Sequence, residues 1–309
     1  MTILLLESLH ADAEQLLAAH ASIVRASEPN APPADLAAVQ AILTRGRGRI
    51  GSELLQRCPS LRVVARAGTG LDNVDTAAAA RRGIPVIYAP GANADTVAEH
   101  TMALVLDLVR GITRCAVQVQ DGRWEERAHY RGNEVRGLRL GILGFGNIGR
   151  RVAALAAAFG MQVLIAAHGG RAAQPPMRTL PLDELLPQCD VLTLHAPLTA
   201  ATRHCIDART LARLPAGAFL VNTARGALIE PAALRAALQS GHLGGFAADV
   251  LEVEPPLAND PLLASDRVLL TPHVASLTAT TYRAICVQTA RNVLCVLRGE
   301  APDRATVFG

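Results

Sequence analysis

The sequence predicts an α/β chain built from two doubly wound parallel-sheet domains, and three observations carry that prediction. Short apolar runs alternate with Ala/Leu/Arg-rich stretches of helical spacing, the pattern of βαβ units whose parallel sheets are covered by helices on both faces. One of those runs feeds a glycine-rich turn that opens a helix. The chain has 309 residues, room for about two domains at roughly 150 residues each.

In chain order, strand-like runs fall at 3–6, 41–43, 61–65 and 85–88, and again at 138–143, 161–166, 190–195, 218–222, 246–250 and 268–271. Helical spacing is clearest over 150–159 and 231–239. Residues 94–119 contain few breakers and carry an apolar stripe through Val97, Met102, Val105, Leu106 and Val109. They predict one or two long helices, broken at Gly111, that connect the two domains. Strand-like runs stop near Thr271, and 278–298 is helical again; periodicity alone does not say which domain receives that helix.

Composition excludes several classes. Half the residues are hydrophobic and 18% are charged, which suits packed cores and excludes a disordered or collagen-like chain. A net charge of +3 is too small for binding nucleic acid through phosphate charge. All 30 basic residues are arginine, so no lysine is present to form a Schiff base, anchor pyridoxal phosphate or serve a P-loop. The six cysteines lack C-x-x-C or metal-ligand spacing and read as buried thiols of a reducing compartment. MTILLLESLH reads as a first strand rather than a signal peptide, and no apolar run reaches the roughly 18 residues of a membrane span. The expected location is the cytoplasm.

The run at 138–143 leads into Gly144-Phe145-Gly146-Asn147-Ile148-Gly149 and then a helix, which is G-x-G-x-x-G in the context that gives it meaning. Gly144 allows the tight turn, Gly146 lets the backbone approach a pyrophosphate at the helix N-terminus, and Gly149 permits close packing. A dinucleotide is therefore expected. An NAD site of this kind places an acid about 20 residues on, at the end of the second strand, to accept from the ribose 2′-hydroxyl. Here that strand ends Ala166-Ala167-His168-Gly169-Gly170-Arg171, without a carboxylate. Loss of the acid removes the barrier to a 2′-phosphate, and His168 and Arg171 could donate to it, so NADP is favoured and NAD stays open.

Hydride transfer at a 2-oxo acid needs a proton donor for the carbonyl oxygen, a cation for the carboxylate, and a partner that tunes the donor. His273, Arg225 and Glu254 lie near predicted strand ends and fit those roles. Arg225 offers a planar fork for a carboxylate, and Glu254 beside His273 would raise its pKa and fix its tautomer. Taken singly, each is equally at home as a surface arginine, a solvated glutamate or a loop histidine.

Together with Arg66-Ala67-Gly68-Thr69-Gly70-Leu71-Asp72-Asn73, Gly83-Ile84-Pro85-Val86, Ala98-Glu99-His100-Thr101, Asn222 to Gly226, Ala248-Asp249-Val250, Glu254-Pro255 and Thr271-Pro272-His273, these residues carry a resemblance along nearly the whole chain. The sequence resembles the D-2-hydroxyacid dehydrogenase family, and most closely its phosphoglycerate dehydrogenase branch. The resemblance implies Arg225, Glu254 and His273 as the catalytic trio and the amides of Gly68, Thr69 and Gly70 as carboxylate donors. Arg225 and His273 would also touch the substrate. It places the dinucleotide against Phe145, Asn147, Ile148, His195, Ala196, Pro197, Thr223, Ala224, His273 and Ala275, with Asp249 holding the nicotinamide amide. It implies a flavodoxin-like substrate domain of residues 1–93 with 283–309, a Rossmann-type cofactor domain of residues 94–282, and a cleft between them. A homodimer would form through the cofactor domains and an arm containing Trp124.

Departures from the family pattern are equally specific. Ala167 replaces the ribose-binding acid, and the chain reads Val274-Ala275-Ser276-Leu277 after His273, which alters a pocket wall. It ends at Gly309, where the phosphoglycerate branch often continues into a regulatory domain, so feedback control by serine is not expected. Arg45, Arg47 and Arg49 cluster where that branch contributes a phosphate-binding arginine, so Arg45 is expected to meet a doubly charged substrate. The expected activity interconverts a 2-oxo acid and its D-2-hydroxy acid, 3-phosphoglycerate-like compounds included. An NADPH-dependent glyoxylate/hydroxypyruvate reductase and a dinucleotide-sensing, corepressor-like binding protein are the alternatives.

Overall fold

The computed structural model describes residues 1–167 and 175–309 and divides into two units, Met1–Asn93 with Leu277–Gly309, and Ala94–Ser276. In chain order the first unit opens with β1 (Thr2–Leu5), α1 (Ala11–Ala18), β2 (Ser22–Arg25), β3 (Ala41–Thr44), α2 (Ser52–Gln56), β4 (Val63–Arg66), α3 (Thr76–Arg81) and β5 (Val86–Ile87). The second unit contains α4 (Ala94–Arg110), α5 (Ile112–Gln120), β6 (Arg139–Leu143), α6 (Asn147–Ala158), β7 (Gln162–Ala166), β8 (Arg178–Thr179), α7 (Leu182–Leu185), β9 (Val191–Leu194), α8 (Ala208–Leu211), β10 (Ala218–Asn222), α9 (Pro231–Gln239), β11 (Leu243–Ala248) and β12 (Val268–Leu270). The chain then re-enters the first unit as α10 (Ala279–Arg298) and β13 (Val307–Phe308).

The first sheet runs β2-β1-β3-β4-β5-β13, parallel except for β13 against β5. Alternate residues feed opposite faces, as the period of a strand requires. Ile3, Leu5, Ala41, Leu43, Val63 and Ala65 pack with α1 and α10, whereas Leu4, Ile42 and Val64 pack with α2 and α3. Covering both faces explains why these strands read as unbroken apolar runs. Ile285, Ala290, Val293 and Leu297 of α10 complete one layer, and Gly299 ends the helix in the left-handed region at φ 80°. Because α10 starts at Ala279 and packs as one piece, the chain passes back to the first unit at Ser276/Leu277, not at the expected 282/283.

The second sheet is wholly parallel, in the order β12-β11-β10-β9-β6-β7-β8. Strand order reverses between β6 and β9, the kind of switch point at which doubly wound sheets take ligands beyond their carboxyl ends. Helix α4 packs Ala98, Met102, Val105 and Val109 with α6 against one face. Gly111, at φ 62°, breaks it from α5.

Three strands were not legible as apolar runs. β2 is only half-buried, β8 is an exposed two-residue strand at a sheet edge, and β13 is a two-residue strand against β5. β11 begins three residues earlier than expected, because its Gly244-Gly245 pair breaks the apolar signal. A Cβ on Gly244 would lie 2.4 Å from the Gly217 carbonyl oxygen, so close backbone approach demands glycine there.

Gly141, inside β6, is equally confined: a Cβ would lie 2.2 Å from Cys189 Sγ and 2.9 Å from Leu185 Cδ2. Gly141→Ala is expected to destabilise the protein by about 1–3 kcal/mol through overpacking. Adding Cys189→Ala should recover part of that loss, read as a double-mutant cycle in thermal or urea unfolding.

Candidate active site

Three loops at the carboxyl ends of β10, β11 and β12 build the site. After β10, the buried Asn222 clamps its own turn: Oδ1 accepts from the Ala224 amide at 3.0 Å, and Nδ2 donates to the Arg225 carbonyl at 2.9 Å. Arg225 follows, with Nη1 donating to the Ala224 carbonyl at 2.7 Å. Gly226 is then pressed against the next loop, since a Cβ would lie 1.9 Å from the Leu251 carbonyl carbon. Only glycine allows the Arg225 turn to meet the 251–254 loop that closely.

Glu254 is anchored within its own loop and turned toward the third. Its Oε1 accepts from the Leu251 amide at 2.9 Å, and its Oε2 lies 2.7 Å from His273 Nδ1. Burial pushes the Glu254 carboxyl up, but the His273 hydrogen bond, the Leu251 amide and the charges of His273 and Arg225 together bring it below the usual range. The hydrogen bond to Glu254 raises the His273 pKa; desolvation opposes it, the charges of Glu254 and Asp249 assist, and Arg225 opposes. The pair therefore favours carboxylate and imidazolium. Nδ1 is committed to Glu254, while Nε2 makes no hydrogen bond among the described residues and the side chain is 53% exposed.

The His273 turn is held from beneath. His273 adopts φ 55°, and its amide donates to the Asp249 and Thr271 carbonyls at 2.9 and 3.0 Å. Asp249 is buried, with Oδ1 accepting from Thr271 Oγ1 at 2.6 Å and the Val274 amide at 2.8 Å, and Oδ2 accepting from the Ala275 amide at 2.8 Å. Three donors of one loop thus converge on this carboxylate, which the sequence leads one to expect at a nicotinamide amide. Thr271 Oγ1 also meets His100 Nε2 of α4 at 2.9 Å. Since that hydroxyl gives its proton to Asp249, His100 Nε2 is the donor in this contact.

Of the residues expected to meet a dinucleotide, the Gly144–Gly149 turn follows β6 and His195 to Pro197 follow β9, on the two sides of the switch point. Gly144 has φ 97°, and a Cβ there would lie 2.6 Å from the His195 carbonyl carbon. Gly149 tolerates no side chain either, because a Cβ would lie 2.2 Å from the Gly144 carbonyl oxygen. Gly146 caps α6 without a side-chain hydrogen bond, and nothing lies within 4 Å of where its Cβ would be. An open approach to the free amides of a twelve-residue helix suits a pyrophosphate. Phe145 and Ile148 pack inward, while Asn147 is exposed with Oδ1 accepting from Arg150.

Around that turn, the structure sorts the remaining expected contacts. His195 Nε2 meets Thr193 Oγ1 at 3.0 Å, Nδ1 has no partner among the described residues, and burial pushes the ring down to about 3, so it is neutral. Ala196 is buried and Pro197 exposed. Thr223 is tied to α4 through Thr101, hydroxyl to hydroxyl at 2.8 Å, while Ala224 is half-buried and Ala275 buried. Ala167 packs against the core of the sheet, and His168 and Arg171 lie outside the described residues.

In the first unit, the Gly68 amide donates to the Arg66 carbonyl at 2.8 Å, so that expected carboxylate donor is engaged. The amides of Thr69 and Gly70 make no hydrogen bond among the described residues. Arg45 donates to Tyr282 Oη at 3.3 Å and lies 5.5 Å from the centre of its ring. Sequence patterns did not single out Tyr282 or Glu7 of this unit, and gave His100 of the second unit no role of its own. An acid ending the run Ile3-Leu4-Leu5-Leu6 was the available signal for Glu7.

The family model for the NAD-binding domain of D-isomer-specific 2-hydroxyacid dehydrogenases matches residues 102–275. An (S)-sulfolactate dehydrogenase of Chromohalobacter salexigens is 40% identical over 263 residues, covering 83% of this chain and 84% of that one. The D-3-phosphoglycerate dehydrogenase of Bacillus subtilis is 37% identical over 268 residues, or 86% of this chain; the chain spans about half of that relative, 51%. The NADPH-dependent glyoxylate/hydroxypyruvate reductase of Sinorhizobium meliloti, solved with NADP and malonate, superposes with a TM-score of 0.90 at 30% identity, covering 99% of this chain and 97% of that one. The glycine turn, the charged trio and these likenesses lead to one assignment: the chain belongs to the D-isomer-specific 2-hydroxyacid dehydrogenase family, oxidoreductases that use a nicotinamide dinucleotide.

Proposed function

We propose that His273 is the general acid–base of a 2-oxo acid/D-2-hydroxy acid interconversion, and the observation that carries this is its 2.7 Å contact with Glu254. With Nδ1 held by the carboxylate, Nε2 is the atom left to give a proton to the carbonyl oxygen in reduction, or to take one from the hydroxyl in oxidation. Glu254 keeps the imidazole oriented and favours its charged form. Arg225 pairs with the substrate carboxylate, and its positive charge on the same side stabilises the alkoxide-like oxygen as it forms. A nicotinamide ring, when bound, supplies the hydride in one direction and accepts it in the other. Its dinucleotide would be held by the second unit, with the pyrophosphate on the Gly144–Gly149 turn.

We assign the amides of Thr69 and Gly70 to the substrate carboxylate and Arg45 to a second anionic group. Three arginines within residues 45–49 favour a dianionic oxo acid, and the 40% identity to a sulfolactate dehydrogenase supports a sulfonated or phosphorylated one. Ala167 favours NADP over NAD and supports a second substrate reading, glyoxylate or hydroxypyruvate, through the likeness to the NADPH-dependent reductase. All six cysteines are free thiols, which supports a reducing compartment such as the cytoplasm. Helix α5 buries none of its residues and leaves Ile112, Val117 and Val119 exposed, with Trp124 58% exposed just beyond it. We assign that apolar face to a second copy of the chain.

His273→Ala should lower kcat by about two to four orders of magnitude, the contribution of general acid–base catalysis. A rate near that of the parent would remove the mechanism. Reduction needs the protonated imidazole, so its kcat should hold below the raised His273 pKa and fall as pH rises through it, with oxidation showing the opposite limb. Glu254→Gln removes the largest raising interaction, and the reduction limb should move to lower pH. Initial rates with NADH and NADPH, crossed with glyoxylate, hydroxypyruvate, phosphohydroxypyruvate, pyruvate and sulfopyruvate, should be highest for NADPH with a dianionic acid. Sedimentation of a Trp124→Glu, Val119→Asp variant should give monomers where the parent gives dimers.

A further inference from the structure

The first sheet has its own switch point, between β1 and β3, and a side chain of the protein fills it. Glu7 follows β1, and its carboxylate is almost wholly enclosed, 3% exposed. One oxygen, Oε1, accepts from four consecutive amides, those of Arg45, Gly46, Arg47 and Gly48, at 3.1, 2.8, 2.8 and 2.8 Å, and from Thr44 Oγ1 at 2.8 Å. Successive amides converging on one point form a concave anion nest, the backbone device that holds phosphates elsewhere. Oε2 makes no hydrogen bond among the described residues, and Arg47 Nε stands 3.9 Å from it.

The surroundings are built for this geometry. Gly48 reaches the carboxylate because it lacks a side chain; a Cβ would lie 2.7 Å from Leu6 Cβ and 2.9 Å from Thr44 Oγ1. Asn73 Nδ2 donates to the Gly48 carbonyl at 2.7 Å, and Thr44 Oγ1 lies within donating distance of both Glu7 Oε1, at 2.8 Å, and that same carbonyl, at 2.9 Å. Three arginines in five residues repel one another, and a buried carboxylate beneath them offsets that repulsion. Burial pushes the Glu7 carboxyl up, yet the Gly48 and Gly46 amides, the Thr44 hydroxyl and the Arg45 amide outweigh it and bring it down to about 2. The charge is therefore resident at neutral pH.

We propose that residues 44–48 form an anion nest whose permanent occupant is Glu7, and that Glu7 is thereby the positioning residue for Arg45. The nest sets the Arg45 backbone, and Tyr282 of α10 sets its guanidinium from the other end. The crevice is thus closed to free phosphate, and selection of a second anionic group falls to the arginine side chains. That last consequence rests on the assignment of Arg45 to the substrate; the nest itself does not.

Amide hydrogen exchange separates the two. In Glu7→Gln, exchange of residues 45–48 should accelerate at least tenfold over the parent while the β-strand amides of the same unit keep their protection. Equal exchange in both proteins overturns the nest. Glu7→Ala should show a formate-dependent rise in unfolding temperature that the parent lacks, including recovery of folding if this variant needs the anion to fold; a formate response equal to that of the parent also overturns it. If Glu7→Ala does not fold under either condition, the Gln comparison decides alone. In steady-state kinetics, Arg45→Ala and Glu7→Gln should both lower kcat/KM for sulfopyruvate or phosphohydroxypyruvate relative to hydroxypyruvate by at least fivefold. The loss should lie in KM rather than in kcat, with Glu7→Asp intermediate. A shifted ratio in Arg45→Ala but not in Glu7→Gln overturns the positioning role. An unshifted ratio in Arg45→Ala removes Arg45 as the selecting cation and with it the positioning consequence, while the exchange result still decides the nest.

Discussion

A single charge-assisted hydrogen bond, Glu254 Oε2 to His273 Nδ1, is the constraint to which the second unit's loops are fitted. An imidazole shuttles a proton usefully only if one nitrogen is tied and the other is presented, and tying it to a carboxylate also sets which form dominates. The bond requires two loops from adjacent strands, β11 and β12, to stop at matching heights. His273 itself adopts a positive φ, a conformation rare for a residue with a side chain. Such strain persists only where the surroundings over-determine it. Here the Asp249 carbonyl and carboxylate together bind residues 271, 273, 274 and 275.

Small residues do as much as charged ones. Gly226 and Gly144 sit where two backbones touch, the first against Leu251 and the second against His195. In both cases the absent side chain lets a loop from one strand lie on a loop from its neighbour, and the functional side chain is the residue next to, or just beyond, the contact. The packing of these loops thus converts strand order into the position of a guanidinium and of a helix N-terminus.

The two sheets use their switch points in opposite ways. In the second, the turn after β6 leaves amides open to an incoming anion. In the first, the turn after β3 closes its amides on Glu7. Both arrangements rest on the same fact, that a turn leaving the carboxyl end of a parallel strand can aim several backbone amides at one point, where an anion satisfies them. Whether the anion arrives with a ligand or is supplied by the chain decides whether the turn binds or only holds its shape.

The alternation of apolar runs and helical stretches was enough to read both parallel sheets, the break at Gly111 and the glycine turn, because these depend on local periodicity and on residues with restricted or unusual backbone freedom. Arg225, Glu254 and His273 were legible as residue types at strand ends, and their resemblance to a family tied them together. Periodicity did not show the return of α10 to the first unit, which only the resemblance implied, and no window of sequence could show the convergence of three donors on Asp249, the pairing of His100 with Thr271, or the enclosure of Glu7. Each is a contact between residues distant along the chain, 37 to 41 positions apart for Glu7 and its donors and 171 for His100 and Thr271. A carboxylate at the end of a strand is chemically the same whether it meets solvent, a cofactor or four amides. Only the order in which the strands are laid side by side decides which it meets.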